Sequence, residues 1–396
     1  MTYVKYELTI GNLLRSAVKR NPNQVIVDPE KGAYTYADFE SRVNALARSL
    51  VKIGVSPHDN VAVLDWDTRQ YLESFYAIPM AGAAIHTVNI RYPVELIYYT
   101  IQHAEDSFII IRDEIAKMFI NYKELFGFVK GWIIYSSTDE KMEFPFDNVY
   151  YYEDLIEENS NSPLPAVIED DIATIFYTSG STGMPKGVTF THRDLVIHAY
   201  GLISTLSDEP VSLTSRDVIM PLVPMFHVHA WGLPQSFLLK GCKYVLAGRY
   251  NPSQELKLIK ENEVTTSAMV PSILYMLLNE PEAPEILKDR NLKVVVGGGA
   301  LSQGLAEAAS KMNVKTIGAY GMSETAPLLT AAIFNSDVRN LEESERKKYQ
   351  IKAGLPASMV EIRIVDKTGK EIPRGVEKIG EITVRAPWLT KEYYKD

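Results

Sequence analysis

Between residues 35 and 317, short apolar, often β-branched runs alternate with stretches whose apolar residues recur every three or four positions. This is the pattern of strands joined through crossover helices, and it restricts the chain to an α/β fold of mostly parallel sheets covered on both faces. Thr35 reads as the N-cap of a helix whose apolar face is Phe39, Val43, Leu46, Ala47 and Leu50 and which Gly54 closes. Strands are predicted at 61–64, 85–88, 108–111 and 132–135, with helices at 69–77 and 93–103 between them. A Ser/Asn/Pro-rich break at 159–165 leads into a second series. There, strands at 172–177, 265–270, 293–296 and 314–317 alternate with helices opening at Ser253, Pro271 and Gln303. Beyond Gly354 the texture changes. Residues 360–365 and 379–384 alternate apolar with charged side chains, as antiparallel strands with one wet face do. The predicted organisation is a first α/β subdomain at 1–165, a second stacked on it at 166–330, and a small antiparallel, β-barrel-like subdomain at 331–396. The charged stretch at 335–348 is expected on the surface.

Length and charge set further bounds. A chain of 396 residues holds two or three core units, and 46% hydrophobic residues suffice to fill them. The formal charge of −9, without a polybasic block, argues against nucleic acid as a partner. Cys242 is the single cysteine, so no intrachain disulfide can form, which fits a reducing, cytoplasmic setting. Residues 218–239 carry no charge and are long enough to span a membrane. Pro221, Pro224, Pro234, Gly232, His227 and His229 interrupt them, so they read as buried and irregular, with no membrane span.

The chemistry concentrates at 177–188, Tyr-Thr-Ser-Gly-Ser-Thr-Gly-Met-Pro-Lys-Gly-Val. Thr178, Ser179, Ser181 and Thr182 are interleaved with Gly180 and Gly183, directly after a strand. Glycines permit positive φ and close approach, so backbone N–H and hydroxyl donors can converge on phosphate oxygens, with Lys186 adding a mobile positive charge. A Walker P-loop is excluded. Counted from Gly180, Pro185 stands where its second glycine belongs, and Gly187 where its Ser/Thr belongs.

Thr178 to Gly187 resembles the signature phosphate loop of the adenylate-forming superfamily, which contains acyl-CoA synthetases, firefly-type luciferases and peptide-synthetase adenylation domains. Further segments resemble the same family in chain order. The run Pro-Met-Phe-His-Val-His-Ala-Trp-Gly at 224–232 resembles its aromatic/histidine motif. By that resemblance His227 lies near the reacting carboxylate, and Val228, Trp231, Gly232 and Leu328 line the acid pocket. Gly297, Gly298, Gly299 and Ala300 resemble the segment that packs on adenine. The run Gly-Ala-Tyr-Gly-Met-Ser-Glu-Thr at 318–325 resembles the motif in which Ala319, Tyr320, Gly321, Met322, Ser323 and Thr325 surround the nucleotide. In that motif Glu324, with Thr178, would hold Mg²⁺. The reaction implied is attack of a carboxylate on the α-phosphate of ATP, followed by transfer of the acyl group to coenzyme A. Lys186, His227 and Thr325 are its candidate catalytic residues, and dimers occur in the family.

The resemblance also implies a Gly-Asp ribose clamp, a hinge and a mobile C-terminal lid domain after the Gly-Glu-Ile-Thr-Val-Arg motif at 380–385. The sequence stops at Asp396, before any of these, so the expectation is an incomplete form with weak or no overall activity. The apolar segment at 224–234 is most similar to medium-chain fatty acyl-CoA ligases. A short- or medium-chain fatty acid is the first expected substrate and an aryl acid the second. A nucleotide-binding remnant without catalysis is the rival from another class.

Overall fold

The computed structural model describes residues 5–136, 138, 141–178 and 183–396. Its centre is a layer of helices between two sheets. Thr35 caps the helix Tyr36–Ile53 through a reciprocal bond with Asp38, and Gly54, at φ 107°, ends it in the left-handed conformation. With Ile10–Arg20, Arg69–Met80, His192–Leu206 and Leu233–Lys240, this helix builds one continuous core that both sheets cover. Leu233–Lys240 lies inside the stretch predicted to be irregular. It is helical because Pro234 stands in its first turn and every face meets apolar neighbours, leaving no polar stripe for periodicity to reveal.

The seven-stranded sheet runs, by strand, Val149–Tyr151, Gly131–Tyr135, Asp106–Arg112, Asn60–Leu64, Ala84–Thr87, Ile172–Thr178 and Lys186–Thr191. Its pairs are parallel except the last, which is antiparallel. The nine-stranded sheet has a parallel centre, from Lys315–Gly321 through Lys293–Val296, Thr266–Met269, Val218–Ile219 and Lys243–Val245 to Val25–Asp28. Antiparallel strands close both of its edges. Each sheet buries a second core on its outer face, so the layers run helix, sheet, helix, sheet, helix. A two-stranded antiparallel sheet, Glu361–Val365 with Glu381–Arg385, lies beyond them.

The fold is mixed α/β, with large, mostly parallel sheets and a small antiparallel one. The sheets do not divide at residue 165. Ile172–Thr178 and Lys186–Thr191 join the sheet of the first unit, while Val25–Asp28 and Gly32–Thr35 join that of the second. Strand alternation fixes the kind of layer but not which strand a segment hydrogen-bonds to, and these segments pair across the proposed boundary. The charged stretch at 335–348 is occupied by two short helices, and Glu343–Gln350 buries none of its residues. Among the described residues no helix is long and apolar enough to cross a membrane.

Candidate functional site

The apolar strand Ile172–Thr178 ends at the predicted phosphate loop, and Lys186–Thr191 returns antiparallel to it with Thr178 paired to Lys186. These two residues flank the mouth of the loop. Ser179, Gly180, Ser181 and Thr182 lie outside the described residues, and Gly183 has open space around its α-carbon. The Lys186 ammonium meets Asp396 Oδ2 at 2.5 Å and stands 4.7 Å above the ring of Tyr393. Beneath the strand, Tyr177 OH bonds His103 Nδ1 at 2.7 Å, and the buried pair His86–Asp106 closes at 2.6 Å.

From the other sheet, Lys315–Gly321 runs into the one-turn helix Ser323–Thr325. Gly321 is required there. A Cβ would fall 1.8 Å from the Pro327 carbonyl oxygen, so only glycine lets the chain fold back this tightly. Thr325 accepts from Met322 N–H at 3.0 Å and donates to the Pro327 carbonyl. Its hydroxyl closes its own turn in this structure. Glu324 projects toward the loop mouth, where Oε1 accepts the Tyr393 phenol at 2.9 Å. That bond is the main cause holding the Tyr393 phenol above its ordinary value. One tyrosine thus touches both Lys186 and Glu324, so these two side chains approach one another across a common cleft.

The third wall is the segment Pro224–Gly232. Asp67 Oδ1 accepts Met225 N–H at 2.8 Å, and Thr87 donates to the Phe226 carbonyl at 3.2 Å, so the backbone just before His227 is fixed from the opposite sheet. Desolvation by the surrounding protein, and then the positive charge of Arg91, lower the His227 pKa and favour its neutral imidazole at pH 7, although the residue is exposed at the cavity. Val228, His229, Ala230 and Trp231 all have positive φ, between 46° and 59°, followed by Gly232 at 72°. Four successive non-glycine residues in this region form a left-handed turn that the surroundings must hold. His229 supplies one restraint, with Nε2 bonded to Thr174 Oγ1 at 2.6 Å and its ring edge-on to Phe75 and Phe176. Burial lowers its pKa to about 3, so it too is neutral.

The turn presents Val228 and Trp231 to a cavity of about 230 Å³ that His227 also lines. Leu202, Leu206, Leu233 and Leu328 form its apolar side, while Ala319, Tyr320, Gly321, Met322 and Ser323 form the side next to Glu324. Gly297 and Gly298 complete the floor. A Cβ at Gly297 would lie 3.0 Å from the Trp231 ring, so the indole rests directly on glycine backbone. Gly299 and Ala300 are exposed beyond the wall. Gly232 sits behind it, where a Cβ would meet the His198 ring at 2.7 Å. Tyr393 belongs to the segment after 380–385 that resembles a further family motif, without a role read for it there; Asp67, Thr87 and Arg91 had not been singled out in the sequence. Single polar residues in a strand or an ordinary loop carry no pattern of their own, and only the fold brings them to the site.

Residues 14–394 match the family described as AMP-binding enzyme. The chain is 33% identical to a long-chain-fatty-acid–CoA ligase of Thermus thermophilus, over 91% of this chain and 65% of that protein. It is 32% identical to a medium-chain-fatty-acid–CoA ligase of Ectopseudomonas oleovorans, over 99% of this chain and 72% of that one. The fold is similar to a crystal structure of a long-chain-fatty-acid–CoA ligase from Archaeoglobus fulgidus. The TM-score is 0.84 at 22% identity, covering 100% of this chain and 78% of the other.

Proposed function

This chain belongs to the AMP-binding enzyme family, and from that premise we propose that it serves ATP-dependent activation of a short- or medium-chain fatty acid, with coenzyme A as the final acyl acceptor. The chain spans 65% of the length of the Thermus ligase, and both half-reactions are proposals for it, with the nucleotide and acid site as the part these residues would supply. The observation that carries the reading is the cleft in which Lys186, Glu324 and the lined cavity converge.

In the proposed first step an oxygen of the substrate carboxylate attacks the α-phosphorus. The P–O bond to the β-phosphate breaks, and acyl-adenylate and pyrophosphate form. The thiolate of coenzyme A then attacks the acyl carbon and AMP leaves. Lys186 would bind the outer phosphates, and the loop donors would share their charge. His227, kept neutral, would donate or accept a hydrogen bond beside the reacting carboxylate without adding a competing cation. Trp231 and the leucines would exclude water from the acyl chain and from the mixed anhydride.

The oxygen donors present fit Mg²⁺. Among the described residues no three His, Cys, Asp or Glu side chains could together hold a metal. Glu324 offers one carboxylate, with Thr178 at the opposite lip, which suits a hard cation completed by substrate phosphates and not a resident structural ion. When bound, that ion would neutralise charge developing on the pyrophosphate.

Among the described residues the cavity lining includes no carboxylate and no ammonium group, which supports a plain acyl chain over an amino acid. The family relationship to fatty-acid ligases supports the same choice. Pyrophosphate–ATP exchange, measured with butyrate, octanoate, benzoate and palmitate, tests the proposal. Exchange strongest with butyrate or octanoate, and lost in Lys186→Met, is the expected result. Preference for benzoate would move the reading to aryl acids. ATP binding without exchange for any acid would leave a nucleotide-binding module.

A further inference from the structure

Lys186 and Glu324 belong to different sheets, and neither backbone fixes where its side chain points. Lys186 ends a flexible four-carbon stem at the edge of the seven-stranded sheet. Glu324 stands in a three-residue turn beyond the nine-stranded one. Lys186 pairs with Asp396, and one further side chain from the same segment reaches both Lys186 and Glu324. The Tyr393 hydroxyl donates to Glu324 Oε1 at 2.9 Å, and the face of its ring lies 4.7 Å from Lys186 Nζ.

The backbone around Tyr393 is itself tied to both partners. Tyr393 forms an antiparallel bridge with Val188, and Tyr394 N–H donates to the Gly187 carbonyl at 2.8 Å. Gly187 makes the approach possible, because a Cβ there would lie 2.9 Å from Tyr394 Cβ. On the other side, Thr390 N–H donates to the Glu324 carbonyl at 3.1 Å, and the buried Trp388 indole N–H donates to the Thr325 carbonyl at 3.0 Å. The segment from Trp388 to Tyr394 therefore binds the metal-side turn first and the phosphate-side strand second, with Tyr393 at the crossing.

We infer that Tyr393 is a positioning residue that sets the separation and aim of Lys186 and Glu324 across the nucleotide cleft. The inference rests on the reading of that cleft as a Mg²⁺–nucleotide site. Its two contacts do different work. The phenol holds one carboxylate oxygen of Glu324, which acts on the metal half. The ring face attracts the ammonium and restricts the lysine stem, which acts on the phosphate half. A tyrosine retained only for packing would need neither its hydroxyl aimed at a carboxylate nor a cation over its face.

Two variants separate these halves. Tyr393→Phe keeps the ring and removes the hydroxyl, and Tyr393→Leu removes both. ATP binding to the full chain is measured by calorimetry in EDTA and again in excess Mg²⁺, with thermal melting recorded for each protein. For Tyr393→Phe the expected result is unchanged affinity in EDTA and a gain on adding Mg²⁺ that is smaller than wild type by about threefold or more. Tyr393→Leu should also bind ATP about twofold to fivefold more weakly in EDTA. Tyr393→Phe indistinguishable from wild type in both arms would overturn the inference and leave the nucleotide reading intact. Wild type binding no ATP in either arm would overturn both. Should Tyr393→Leu fail to fold, the Phe variant still decides, because it preserves the packing.

Discussion

At the scale of single residues, desolvation decides the protonation states that the chemistry uses. His227, His198 and His229 are all pushed toward the neutral form by loss of solvent, and the latter two fall to about 3. Asp67 moves the other way. Half-buried, desolvated by its surroundings and answered mainly by the Met225 N–H, its carboxyl rises from 3.8 to about 7. A carboxyl raised in the folded state holds its proton where the unfolded chain has already released it, so folding stability falls as pH climbs from about 4 through 7. Asp67→Asn keeps an oxygen to accept from Met225 and cannot ionise. Its urea midpoint relative to wild type should therefore shift upward between pH 5 and pH 8. A difference between the two proteins that does not change with pH would show that Asp67 is not the titrating group.

At the scale of elements, the wall of the cavity beside His227 is a left-handed turn, a conformation costing about 1–2 kcal/mol per non-glycine residue and kept only by its neighbours. Thr174, Phe75 and Phe176 grip His229 from the seven-stranded sheet and the central helices, and Tyr76 OH bonds the Pro234 carbonyl at 3.0 Å just after the turn. Gly232 is the one position in the run where glycine removes the penalty, and its open side is filled by the His198 ring. Gly232→Ala combines positive φ with a Cβ 2.7 Å from that ring. It should cost about 1–3 kcal/mol in chemical denaturation and displace His198. A variant as stable as wild type would mean that the turn can relax, and that its left-handed geometry is not enforced by packing.

At the scale of the whole molecule, the two sheets are not independent units. One core contains Ile26, Tyr244 and Ile317 from the nine-stranded sheet together with Val61, Ile85 and Phe176 from the seven-stranded one, joined through the central helices. Separating the sheets would expose that shared core, so they should unfold together. Fluorescence from Trp132, in the first sheet, and Trp231, over the glycine floor of the second, can be read in single-tryptophan proteins. Coincident urea transitions, matching far-ultraviolet circular dichroism, are expected. Two separated transitions would show that the sheets hold their own cores apart from the shared one.

Local signals in the sequence specified much of this protein. Thr35 and Gly54 mark the ends of a helix because capping depends on the residues at the ends and little else. Strand–helix alternation specifies covered parallel sheets because it reports which faces are apolar. The hydroxyl–glycine run, His227 and Glu324 stand out as candidates in the sequence because each sits in an ordered string of unusual residue types. Tertiary structure alone decided that Lys186–Thr191 joins the sheet of the first unit and Val25–Asp28 that of the second, since pairing partners leave no mark on either segment by itself. It also decided that Thr325 spends its hydroxyl on its own turn, that Asp67 anchors the segment before His227, and that Tyr393 stands between Lys186 and Glu324. The Asp67–Met225 and Tyr393–Glu324 contacts join residues 158 and 69 positions apart, and their distances are set by how the layers pack, which periodicity along one strand or helix cannot encode.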